Sequence, residues 1–358
     1  MKNSILLFAM SFLLLSACEK DSDYDPEPPV EEEEAVLWEP VNGMHSVGVL
    51  NLHMTENELM ALTSNHFFTI DPEEMTSEEY FLGVFSEAQA TEINDQFFVK
   101  IESSMIFVYN TKNPDQYASF DISEIFPDFG KFFFPPAWLG DVIVSNNQNV
   151  FLTVYRPKID GIYMPEPRLL LFRAEKNTAG EVSLDDFIES AIDTDYIFGD
   201  LTGIYSCGEN FLISLNPYTY KVKPDGSWEL VFEGQIFDFI EHDDMLIGFS
   251  DDDLLVSHDD GSNWDILTSS FPLGLRPWQQ KGFSLNDRLL VWDTYEIRQI
   301  KFTDTGLDFV SFCTEGLDPG PGRNIHRLIM SAEYMFVGTQ QGLYYKPLDD
   351  FWGSTPEN

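Results

Sequence analysis

From residue 36 onward, short apolar runs alternate with polar turns, and the same order returns along the chain. In "IFDFIEHDDMLIGFSDDDLLVSHDDGSNWDIL" (236–267) an apolar strand is followed by a turn, a second apolar strand, an Asp-rich turn, a third strand, another turn and a Trp. "GIYSCGENFLISLNPYTYKVKPDGSWELVF" (203–232) and "IHRLIMSAEYMFVGTQQGLYYKPLDDFW" (325–352) repeat that order. A weaker copy begins at Lys281, and further degraded ones begin near Val49, Ala90 and Val142. The spacing predicts seven units over 49–352 of about 43 residues each, filled by four short strands. One four-stranded sheet cannot bury both of its faces alone. Stacking such sheets around an axis covers them, so the pattern predicts an all-β propeller of seven blades with four antiparallel strands each. Two stretches, 55–62 and 184–192, carry enough helical spacing to read as short helices.

The last unit lacks a good fourth strand, because "GSTPEN" is short and polar. "LWEPV" at 37–41 matches the strands that follow the turns elsewhere, "NWDIL" and "SWELV". It is expected to supply the outer strand of the last blade and close the ring, and Pro40 suits an edge strand.

The first 35 residues have a different pattern. Lys2 precedes the apolar run Ile5–Leu15, which is too short to span a bilayer and fits a signal-peptide core. It ends in Leu15-Ser16-Ala17-Cys18, which resembles a bacterial lipobox. That resemblance implies cleavage after residue 17 and acylation of Cys18. Each buried CH₂ of such an anchor contributes about 0.8 kcal/mol. Nine of the next sixteen residues are acidic and three are proline, a composition expected of an extended tether. At ~3.3 Å per residue, such a tether would reach about 50 Å. A Lys followed by acids just after the cysteine is similar to the export signal of Bacteroidota surface lipoproteins. The expected organisation is a signal peptide at 1–17, a tether at 18–35 and a propeller at 36–358. The expected location is the outer membrane, facing the exterior, with the periplasmic face as the alternative.

"SHDDGSNW" at 257–264 fits S-x-D-x-G-x-x-W and resembles the Asp-box, or BNR, repeat of sialidase-like and sortilin-like propellers. Ser257, Asp259, Gly261 and Trp264 occupy the motif positions. The resemblance implies a structural turn between the third and fourth strands of a blade. Asp259 would accept turn N–H groups, Gly261 would take positive φ, and Trp264 would bury its ring. "KPDGSW" at 223–228 is a shortened version and "KPLDDFW" at 346–352 a decayed one. A calcium site at Asp251–Asp253 with Asp259 is the competing reading, although the EF-hand order is missing.

The chain has 61 acidic residues against 20 Lys and Arg, a formal charge of −41. Such a surface repels phosphate backbones and excludes nucleic acid as a partner. Cys207 and Cys313 form no CxxC pattern; they either pair in an oxidising compartment or stand as separate small hydrophobes. No metal-ligand set or cofactor motif is present, and none is assigned. Three long connections precede inner strands, at 126–141, 271–282 and 314–327. They carry Phe133, Phe134, Trp138, Arg276, Trp278, Arg323 and His326, the flat apolar faces and donors that a glycan or protein site uses. The bland alternative is that these aromatics plug the loop bases. The stretch 156–168 reads as a hairpin insertion that could also touch a partner.

Sialidase activity is disfavoured: the F/Y-R-I-P motif is missing, the first of only eight arginines is Arg156, and no arginine triad is marked out. There is no G-x-S-x-G elbow of a serine hydrolase. A two-carboxylate glycosidase stays open, since acids are everywhere and nothing marks one pair. The reading is a lipid-anchored platform for a protein or glycan, monomeric or within an envelope complex. The alternatives are a carbohydrate-active hydrolase or lyase, and a structural subunit of an outer-membrane complex.

Overall fold

Each apolar run becomes a strand because it is covered on both sides. A computed structural model describes residues 36–83, 90–132, 141–192, 201–250, 253–268, 281–285, 288–293, 296–303, 306–317 and 324–353. They form seven antiparallel sheets. Blade 1 is Val49–Met54, Leu59–Thr63, His66–Asp71 and Thr76–Phe81; blade 2 is Ala90–Ile93, Phe97–Glu102, Met105–Asn110 and Asn113–Asp121. Blade 3 is built on Ile143–Ser145, Val150–Ile159, Arg168–Lys176 and Val182–Ala191. Blade 4 is Leu201–Cys207, Asn210–Leu215, Tyr218–Val222 and Trp228–Phe232; blade 5 is Asp238–His242, Met245–Phe249, Leu254–Ser257 and Asp265–Thr268. Blade 6 is Lys281–Leu285, Arg288–Trp292, Ile297–Thr303 and Gly306–Phe312. Blade 7 takes Ile325–Met330, Tyr334–Thr339 and Gly342–Pro347, and its fourth strand is Glu39–His45 from the N-terminal side. The first strands of blades 7, 1, 2, 3, 4, 5 and 6 touch in that order around the axis. The molecule is a seven-bladed β-propeller closed by an N-terminal strand.

The core is divided among the seams between blades. Seven apolar clusters occupy the seven seams, one each. In Leu59–Thr63 every residue is buried: Leu59 and Ala61 face the seam with blade 7, while Met60 and Leu62 face the seam with blade 2. Successive side chains point to opposite faces. A strand covered on both faces therefore reads as a continuous apolar run and not as an alternation. The outer strands, such as Thr76–Phe81, are mostly exposed and read as polar. The closing strand buries Val41 and Met44 in the blade 7–1 seam, and Trp38 just before it donates Nε1–H to the Cys313 carbonyl at 3.1 Å.

Both expected helices are corrected. Residues 59–62 belong to the second strand of blade 1, with the preceding residues as its turn. Residues 184–191 lie in the outer strand of blade 3. There the pairing shifts register opposite Leu171/Arg173, and Asp186 takes φ 53°. The bulge adds one residue to the strand, so its apolar positions fall out of period 2 and imitate a helix. The decayed copy near the C-terminus forms a short helix, Leu348–Gly353, which packs Phe351 into the blade 6–7 seam. Cys207 and Cys313 are both free thiols, Cys207 buried.

Candidate functional site

Along each blade the strands alternate in direction, so the connections into first strands and the hairpins between second and third strands share one face, called here the entry face. At that end of the axis, charged and polar side chains interrupt the first strands. Asp238 and Lys281 are the first residues of theirs, Asn51, Glu92 and Arg327 the third, and Asp141 stands just before Ile143.

These groups meet across blades. Arg327 of blade 7 donates Nε–H to Asn51 Oδ1 of blade 1 at 3.0 Å and Nη1–H to the His326 carbonyl at 3.2 Å. Its Nη2 pairs with Asp141 Oδ1. Asp141 belongs to blade 3, which is not a neighbour of blade 7, so this ion pair reaches across the axis. Glu92 of blade 2 accepts from the Ser145 N–H at 2.9 Å and the Ser145 hydroxyl at 2.7 Å, both in blade 3. Asp238 of blade 5 accepts the Gly282 N–H at 2.8 Å and faces the Lys281 ammonium at 3.3 Å, both in blade 6.

Burial pushes the Glu92 carboxyl up to about 8, and the Asp141 charge pushes in the same direction; the Ser145 bonds and Arg327 oppose them. Burial also raises Asp238, against the pull of Lys281. With Glu92 protonated at neutral pH, Asp141 and Asp238 balance Arg327 and Lys281. The result is a neutral, cross-linked floor at the mouth of the axis. Sequence reasoning did not single out this cluster. Its one visible signal is a charged residue within a first strand, as in "ATEI" and "IHRLIM".

His326 lies beside this floor. It is half-buried, its Nδ1–H donates to the Val49 carbonyl at 2.8 Å, and burial lowers its pKa. It therefore links blades 7 and 1. Phe133, Phe134, Trp138, Arg276, Trp278 and Arg323 lie outside the described residues, as do Cys18, Asp251 and Asp252.

The 257–264 turn sits on the opposite face, between the third and fourth strands of blade 5. The buried Ser257 hydroxyl donates to Asp259 Oδ1 at 2.9 Å and accepts the Gly261 N–H at 2.9 Å. Asp259 also accepts the Asn263 N–H at 2.8 Å and its side-chain Nδ2 at 2.6 Å. These bonds, the Asn263 side chain first, hold its carboxyl down to about 2. Gly261 has φ 76°, and a Cβ there would come within 2.6 Å of Leu212 Cδ1 of blade 4. The Trp264 indole donates to the Gly261 carbonyl at 3.1 Å. The expectation of an enclosed ring is corrected: Trp264 is half-buried, one side resting near Phe239 at a centroid distance of 6.0 Å.

No protein-family model matches the chain, and no curated protein matches it in sequence. Among solved structures it is similar to the extracellular domain of BT4673 from B. thetaiotaomicron, with TM-score 0.52 and 10% identity over 87% of this chain and 40% of that one. It is also similar to virginiamycin B lyase from Staphylococcus aureus, with TM-score 0.54 and 8% identity over 86% of this chain and 97% of the other. An ancestral GH74 enzyme matches with TM-score 0.51 and 12% identity over 87% and 46%. The chain spans 40% of the length of the B. thetaiotaomicron domain. At these identities the likeness is one of fold.

Proposed function

We propose that the chain is a lipid-anchored surface protein whose propeller is a non-catalytic platform for a protein or glycan ligand. One observation carries this reading. The Asp141, Asp238, Arg327 and Lys281 charges at the entry end of the axis each have an opposite charge from another blade. They form a charge-matched floor. The ligand then meets the connections around that floor, whose sequences supply Phe134, Trp138, Arg276, Trp278 and Arg323. The 257–264 turn is a structural Asp-box-type turn, because its carboxylate is consumed by local bonds. Cys18 carries the lipid and 18–35 is the tether.

The test is a glycan and envelope-protein binding array with wild type beside the Trp138→Ala, Trp278→Ala pair. Ligand bound by wild type and lost in the pair supports the platform; silence throughout removes it. Cys18→Ala is expected to leave the membrane fraction, and its retention there would refute the anchor.

A carbohydrate-active hydrolase or lyase is the second reading, and one observation favours it. Glu92 and Asp141 are two carboxylates at the same axial mouth, one held by Ser145 and the other by Arg327, and burial pushes the Glu92 carboxyl up to about 8. Glycoside cleavage uses such a pairing of a proton donor with an ionised carboxylate. Saccharide turnover by wild type, abolished in both Glu92→Gln and Asp141→Asn, would replace the platform reading.

A further inference from the structure

Among the described residues, blade 3 alone carries extra strands beyond its four. Phe129–Phe132 pairs with Tyr155–Pro157, alongside the same second strand as Ile143–Ser145, and Ile162–Tyr163 pairs with Lys158–Ile159 on the other side. The result is a small three-stranded tip on the entry face. Its turn, Asp160–Gly161, has φ 51° and 81°. Two consecutive positive values are the signature of a tight hairpin whose twist matches its strands.

The tip gathers two lysines around one aromatic ring. Tyr163 lies against Gly130, where a Cβ would come within 2.9 Å of ring atom Cε1. Over that ring stand two ammonium groups, Lys131 at 5.2 Å and Lys158 at 5.1 Å from its centroid. Neither has a carboxylate partner among the described residues. Elsewhere Lys112, Arg168, Arg173, Lys281, Arg298 and Arg327 each have one. What sets Lys131 and Lys158 apart is their placement, since both ammonium groups converge on one exposed ring. Residues 129–168 hold four cations, Lys131, Arg156, Lys158 and Arg168, against three acids, Asp141, Asp160 and Glu166. Asp141 is already tied to Arg327.

We infer that the Lys131–Tyr163–Lys158 tip binds a sugar acid, a saccharide carrying a single carboxylate. The inference rests on the platform reading above and names its ligand class. The ammonium pair receives the carboxylate through charge-assisted hydrogen bonds. Tyr163 and Ile162, 43% and 69% exposed, offer apolar surface to the C–H face of the pyranose. The net charge of −41 decides against a polyanion, such as an acidic peptide, because each further charge meets a repelling surface. A lone carboxylate feels mainly the two lysines, since more distant charges are screened beyond about 8 Å at physiological salt.

The full-length chain is titrated calorimetrically with a disaccharide containing one glucuronic acid, with its neutral glucose counterpart, and with poly-glutamate. Lys131→Gln/Lys158→Gln is run in parallel, and a thermal melt checks that it folds as wild type does. The acidic disaccharide is expected to bind and the other two to be silent. The double variant is expected to weaken binding at least about tenfold, the loss of one charge-assisted bond. Tyr163→Phe, which keeps the ring, should bind as wild type does. Poly-glutamate binding in place of the disaccharide would overturn the inference, as would equal affinity in the double variant. Array binding of another glycan that survives the double variant would remove this site and leave the platform standing. No ligand in either experiment would remove both.

Discussion

Replacing Glu92 by Gln tests the electrostatics of the axial floor. In the folded chain Glu92 holds its proton to about 8, against an ordinary value of 4.5. Between those two pH values the folded protein binds more protons than the unfolded chain. Stability must therefore fall as pH rises through that window and level off above it. The full difference corresponds to about 5 kcal/mol, an upper limit because a partly exposed carboxyl relaxes when it ionises. Gln has the same shape, and its amide oxygen can still accept from the Ser145 N–H and hydroxyl. The variant should thus match wild type at pH 5 and exceed it increasingly toward pH 9. Urea unfolding followed by Trp fluorescence at pH 5, 6, 7, 8 and 9 measures this. Asp238 and Glu189 also have raised values, but they contribute equally to both proteins and cancel in the difference. Parallel pH profiles for the two proteins would show that Glu92 ionises normally and that the floor is not neutral at pH 7.

Three other changes probe the ring itself. Trp38→Ala removes an almost fully buried indole, its bond to the Cys313 carbonyl and its edge contact with Phe351 at 5.8 Å. A loss of about 3–5 kcal/mol is expected in denaturant unfolding, and an unchanged midpoint would refute closure through this residue. Gly282→Ala places a Cβ 1.6 Å from Ile240 Cδ1 in the blade 5–6 seam. It should destabilise by about 1–3 kcal/mol, and less than additively when combined with Ile240→Val. Trp264→Ala should lose only about 2 kcal/mol, below the range for an enclosed Trp, because its ring is half-buried. A thermal melt without any shift would show that the ring does not brace the turn.

How much of this was legible depends on which contacts are local. The repeat was visible because a blade is a run of neighbouring hairpins, and because second strands buried in two seams must be apolar throughout, as in Leu59–Thr63. The closing strand was visible because "LWEPV" imitates the outer strands of blades 4 and 5 in composition. The outer strand of blade 3 was misread because the bulge at Asp186 breaks its period. The axial cluster was invisible as a cluster because Arg327 and Asp141 stand 186 positions apart and meet only when the ring closes. Yet its members are individually anomalous. A charge placed at the entry end of an inner strand has little access to water, so it persists only with a partner from another blade. In a closed ring that partner must come from the neighbouring first strand or from across the axis, as Lys281 does for Asp238 and Arg327 for Asp141. An Asp, Glu, Lys or Arg at the entry end of a repeat's first strand is therefore a readable sign of an axial contact, even though the sequence does not say which two residues will meet; Glu241, further along its strand, is exposed and takes no part.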